Sequence, residues 1–81
     1  MHVLANRKLI KKISGNYENR VRECRLKAMI AKQDMLAQMT GIPRSTINAL
    51  ENNKQFLSSH YALIIAEVLR CKLDDLYKKK D

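Results

Sequence analysis

The chain has 81 residues, with 16 Lys/Arg against 8 Asp/Glu and a formal net charge of +8. That length supports one small core, burying about 60–65% of the surface the unfolded chain exposes, and leaves no space for a second, ligand-sensing domain. The charge points to polyanionic partners, because each cation set against a phosphate releases condensed counterions; from charge alone, a merely soluble basic protein is equally open.

Residues 1–16 form a basic N-terminal extension, carrying Arg7, Lys8, Lys11 and Lys12 with no acid. Leu9, Ile10 and Ile13 fall at helical spacing, Asn6 is a possible cap, and Gly15-Asn16 a credible stop. A short amphipathic helix is expected, with a flexible basic arm or a strand pairing across a dimer as competing readings. Residues 17–81 are expected to form the main domain. Its first helix should run from about Tyr17 to Ile30, since Tyr17, Val21, Cys24 and Ala28 repeat as one apolar stripe. A second helix covers about Gln33 to Met39. Pro43 can open a third at its first position, where the missing N–H costs nothing. That helix ends near Asn52-Asn53, with Asn53 as the left-handed residue.

The fourth helix has the clearest start. Ser58 is a good N-cap, and Leu57 before it can meet Ala62 in a hydrophobic staple. Leu63, Ile65, Ala66 and Leu69 supply its inward face. A last short helix, about Leu73 to Lys79, places Leu73, Leu76 and Tyr77 on one side and Lys78-Lys79-Lys80 at its negative end. No strand signal competes, so the fold class is all-α.

Val3-Leu4-Ala5 is too short for the apolar core of a signal peptide, and the longest apolar run, Ala62 to Ala66, is far below the ~20 residues that span a bilayer. Cys24 and Cys71 sit at apolar helical positions and read as small hydrophobes in a reducing cytoplasm. His2 and His60 lack further ligands at metal spacing, so neither metal nor cofactor is expected. Without paired carboxylates, a nucleophile–base set or a Gly-rich phosphate loop, nothing supports an enzyme.

The stretch Gln33 to Asn53, QDMLAQMTGIPRSTINALENN, carries the most information. Ala37 is small where two steeply crossing helices approach, and Gly41 allows a sharp turn. Met35, Leu36, Met39, Ile42, Ile47 and Leu50 are expected inside. The outer side of the following helix then carries Arg44, Ser45, Asn48, Ala49 and Asn52, a short-chained polar face suited to a nucleic-acid edge; an ordinary solvated surface is the plain alternative.

Through NRVRECR, QDMLAQMTGIPRSTINALENNK and LSSHYALIIAEVLRCKLDDLY, residues 19–77 resemble the lambda-repressor-like, Cro/Xre family of helix-turn-helix domains. The resemblance implies a compact five-helix domain, here with the added N-terminal helix or arm. It implies that the second helix crosses the phosphate backbone of double-stranded DNA and the third lies in the major groove. Gln33 then meets a phosphate, as do Asn52 and Lys54. Arg44, Ser45 and Ala49 match base-facing positions, with Thr46 and Asn48 at the margins, and Arg44 is the best candidate for bidentate reading of a guanine. Glu51 is expected to fold back onto Arg25 or Arg22.

The chain departs from the family pattern at several places. It has one extra residue between the first two helices, and Lys32 stands where a Ser/Thr cap is usual. Pro43 replaces Ser, Thr40 an aliphatic residue, and Asn53, Leu57 and Arg70 replace Gly, Pro and Gly. Tyr61, Ile64, Val68 and Cys71 form a second stripe on the fourth helix, either a dimer or partner surface or the seat of the N-terminal helix. Two functions follow: a small homodimeric transcriptional regulator binding an operator, or a protein-interaction module on the same scaffold, such as an antitoxin.

Overall fold

The computed structural model describes residues 15–80. The expected N-terminal helix or arm, with Leu9, Ile10 and Ile13, lies outside the described residues. Those described form a strand β1 (Tyr17–Asn19), helices α1 (Val21–Lys27), α2 (Gln33–Thr40), α3 (Arg44–Glu51) and α4 (Ser59–Leu69), a 3-10 turn (Leu73–Leu76), and a strand β2 (Tyr77–Lys79).

Each helix ends for a local reason. The α1 helix stops at Met29 (φ 64°), where the Ile30 N–H reaches back to the Arg25 carbonyl at 3.1 Å and the Met29 N–H to Leu26 at 3.0 Å. The same double closure ends α3 around Asn53 (φ 55°): Lys54 N–H donates to the Ala49 carbonyl at 2.9 Å and Asn53 N–H to Leu50 at 3.0 Å. Both are Schellman motifs, which satisfy carbonyls that a helix end would otherwise leave unpaired. Gly41 (φ 78°) ends α2 and Arg70 (φ 55°) ends α4. Ser58 caps α4 as expected, its Oγ accepting from the Tyr61 N–H at 3.3 Å.

Two expectations about the ends of the domain are corrected. Tyr17–Asn19 is a strand, not the first turn of a helix, and the segment after Leu76 is a strand, not helix. The two strands pair antiparallel, Tyr17 opposite Lys79 and Asn19 opposite Tyr77. The Tyr77 hydroxyl donates to the Leu57 carbonyl at 2.6 Å, an anchor that extended backbone places and a continued helix would rotate away. Among the described residues there are therefore four α-helices and a 3-10 turn, with a small strand pair, where five helices were expected.

The core is Val21, Ile30, Leu36, Ile42, Ile47, Leu50, Leu57, Ala62, Ile65, Ala66, Leu69 and Leu76. Met35, Met39, Leu63 and Leu73, expected inside, are instead substantially exposed. On α2 the inward stripe is Gln33, Leu36, Ala37 and Thr40, so Met35 and Met39 fall on its flanks. On α4 the stripe is Ala62, Ile65, Ala66 and Leu69, and Leu63 stands a quarter-turn off it. Tyr61, Ile64, Val68 and Cys71 lie half-buried against the core. No helix among the described residues is long and apolar enough to cross a membrane.

Candidate nucleic-acid interface

The turn between α2 and α3 is built by Thr40, Gly41 and Pro43. Gly41 supplies the left-handed backbone. The Thr40 hydroxyl donates to the Leu36 carbonyl at 2.7 Å and accepts from the Ile42 N–H at 3.1 Å, so its polarity stitches the turn. Pro43 occupies the N-cap of α3 (φ −57°, ψ 142°), not its first helical position as expected. Its extended ψ places it just outside the helix, with its carbonyl accepting from Thr46 and Ile47. Lys32 takes the N-cap of α2 with no side-chain cap bond.

Ile47 and Leu50 are fully buried and hold α3 to the core from its inner side. The opposite side presents Arg44, Ser45 and Asn48 exposed, with Thr46 and Ala49 half-buried beside them. Asn52 and Lys54 are exposed at the C-terminal end.

Glu51 fixes how α3 sits against α1. Its carboxylate is buried and accepts from Arg25 Nε at 2.7 Å and Arg25 Nη2 at 3.1 Å. Arg22 Nε adds a third donor at 3.3 Å, and Gln33 Nε2 a fourth at 3.0 Å. Arg25 is only 6% exposed, and its Nη1 donates to the Ile30 carbonyl at 2.9 Å. Both cations named as alternatives from the sequence therefore bind Glu51 together. Burial pushes the Glu51 carboxyl up, but hydrogen bonds from Arg25, Gln33 and Arg22 and the Arg25 charge outweigh it and hold the group below its ordinary value.

Gln33, expected on a phosphate, turns its side-chain amide toward α3, where it meets Asn48 Oδ1 at 3.2 Å as well as Glu51. Asn52 donates to the Asn48 carbonyl at 3.0 Å and accepts from Arg22 Nη2 at 3.2 Å. Arg44 pairs through Nε with Asp34 Oδ1 at 3.0 Å, both side chains about two-thirds exposed, at 64% and 69%. The exposed face of α3 is thus ordered by partners on α1 and α2.

Two residues of this arrangement, Asn19 and Asp34, had no signal in the sequence reading, and a third, Arg22, was expected only on Glu51. Asn19 sits on β1, yet its amide donates to the Leu50 carbonyl at 2.7 Å and to Asn53 Oδ1 at 3.2 Å, clamping the end of α3. Arg22 sets a half-exposed cation beside Asn52. Asp34 touches Arg44 across the turn. All three act between segments distant in sequence, which periodicity does not see.

Comparison with known families agrees with this geometry. A family model described as helix-turn-helix matches residues 21–76, from the start of α1 to the end of the 3-10 turn. No curated protein and no solved structure matches the chain.

Proposed function

The chain belongs to the lambda-repressor-like, Cro/C1-type helix-turn-helix family of DNA-binding regulatory domains, and from that premise we propose a sequence-specific transcriptional regulator that lays α3 in the major groove of an operator. The observation that carries the reading is the exposed Arg44, Ser45 and Asn48 on a helix whose other side is fully buried. Arg44 reads a guanine edge, Ser45 and Ala49 touch neighbouring bases, and Thr46 and Asn48 lie at the margins. Gln33 meets a phosphate through its backbone N–H at the start of α2, its side-chain amide being taken by Asn48 and Glu51; Asn52 and Lys54 meet phosphates too, and Arg22 lies close enough to Asn52 to join them.

The operator would be bound by a homodimer in the cytoplasm, as a repressor or Cro-type controller. Half-sites would then lie about one helical turn, ~34 Å, apart. Selection from a random duplex pool tests this: an enriched pseudo-palindrome at that spacing is expected, and a pool with no enriched motif contradicts it.

The protein-interaction reading, an antitoxin for example, rests on the half-buried Tyr61, Ile64, Val68 and Cys71 stripe of α4, beside which exposed Leu63 and Leu73 line a shallow groove with Ala66, Glu67, Arg70 and Cys71. A second copy of this chain is the occupant the operator reading needs. Co-purification of a different polypeptide would favour the antitoxin.

A further inference from the structure

We propose that Asp34 is a positioning residue for Arg44: its carboxylate pairs with the guanidinium on the Nε side and so keeps the two terminal nitrogens turned toward a base edge. The inference rests on α3 entering the major groove, and adds a specificity determinant on the neighbouring helix.

The geometry supplies the argument. Arg44 is the first residue of α3, and Asp34 lies in the first turn of α2. Nε meets Asp34 Oδ1 at 3.0 Å. The contact is an ion pair, so it restrains where the Nε side of the rigid guanidinium sits and leaves the Nη1/Nη2 edge, whose spacing matches guanine O6 and N7, open to a base. A free arginine carries large rotamer entropy that it must lose on binding a base; the exposed ion pair with Asp34 supplies a part of that ordering beforehand.

Charge leads to the same conclusion. From Gln33 to Lys54 the charged residues are Asp34, Arg44, Glu51 and Lys54. Glu51 is buried and bound by Arg25, so Asp34 is the acid that a DNA backbone would face. An exposed carboxylate near phosphates opposes binding unless a cation neutralises it. Paired with Asp34, Arg44 contributes little net charge to non-specific attraction and acts through geometry on one base pair. Removing Asp34 would free the guanidinium to swing onto a phosphate.

The consequences run in opposite directions for affinity and specificity, which loss of a merely stabilising surface pair would not produce. On the selected duplex, Arg44→Ala should lose discrimination at one base pair per half-site, roughly 5- to 150-fold. Asp34→Ala and Asp34→Asn should each lose about tenfold of that discrimination, a large part of the same range. Both should tighten binding to random duplex and steepen the slope of log K against log[salt] by about 0.9 for each phosphate gained per subunit. Asp34→Glu should restore most of the discrimination.

Unchanged discrimination in both Asp34→Ala and Asp34→Asn, whatever the salt slope does, would overturn the positioning role while leaving α3 as the reading helix. If Arg44→Ala itself keeps the wild-type base preference, the reading of α3 fails first and the role of Asp34 falls with it.

Discussion

Arg25 grips both carboxylate oxygens of Glu51, Nε to Oε2 at 2.7 Å and Nη2 to Oε1 at 3.1 Å, and so ties α1 to α3 inside the protein. The pair sets the angle at which the exposed face of α3 is offered. Its worth shows when one partner is removed, because the other is left buried and charged. Arg25→Ala should cost about 3–5 kcal/mol in urea unfolding. The double change Arg25→Met with Glu51→Leu should cost much less than the two single changes added together, since no charge is stranded.

The same pair makes stability acid-sensitive. Glu51 is held below its ordinary value of 4.5 in the folded protein. A carboxyl depressed on folding contributes stability that is full above the unfolded value and is lost as pH falls through the folded one. Stability should therefore drop as pH falls below about 4.5. Glu51→Gln, less stable at neutral pH, should show a shallower fall in the same range, read from urea midpoints at each pH.

Among the described residues three non-glycines hold left-handed backbone, and Met29 has least reason to. The residue is 87% exposed, so it buries almost nothing in return for its φ of 64°. Met29→Gly should stabilise the protein by about 1 kcal/mol by relieving that conformation. Asn53 differs, because its Oδ1 accepts from the Asn19 backbone at 3.1 Å and side chain at 3.2 Å. Asn53→Gly should gain less or lose stability. Thermal midpoints of the two variants side by side separate the cases.

Lys32 stands at the N-cap of α2 with extended backbone (φ −122°, ψ 145°) and no side-chain cap bond. Lys32→Ser supplies an oxygen for an unpaired N–H of the first turn without altering the backbone. The expected gain is about 1 kcal/mol, measured by chemical unfolding.

Burial pushes both cysteine thiols above their ordinary value, with Asp75 adding to the rise in each and the Cys71 thiol adding to it in Cys24. Less thiolate means slower chemistry. Alkylation at neutral pH should run well below the rate of free cysteine and rise steeply above pH ~9. Rates matching free cysteine at neutral pH would contradict the placement of both side chains.

Much of the fold was legible because its signals are local. Gly41 marks the turn, Ser58 the start of α4 and Asn53 the end of α3, and each works through bonds to residues within a few positions. Ile47 and Leu50 are legible by helical period alone. The strand pair was not, because YEN and YKK each hold a single strand-favouring residue, the tyrosine; its anchors are Asn19 on Leu50 and Tyr77 on Leu57, far away in sequence. Met35 and Met39 were misplaced for a related reason: an eight-residue helix buries one narrow stripe, and hydrophobicity does not say which flank stays wet. In the candidate site, the residues facing outward could be read from the turn, but not the partners that orient them. Asp34 and Arg44 lie ten residues apart, a spacing that no single-helix rule connects.

The most direct test of α3 as the reading helix compares Arg44→Ala with Lys54→Ala on the selected duplex and on random duplex. Arg44→Ala should lose preference at one base pair per half-site, while the Asp34 carboxylate it uncovers weakens every sequence, random DNA included, by the same factor. Lys54→Ala should weaken binding to both alike and flatten the salt slope by about 0.9 per subunit. An Arg44→Ala protein that still prefers the wild-type base at every position would contradict the assignment.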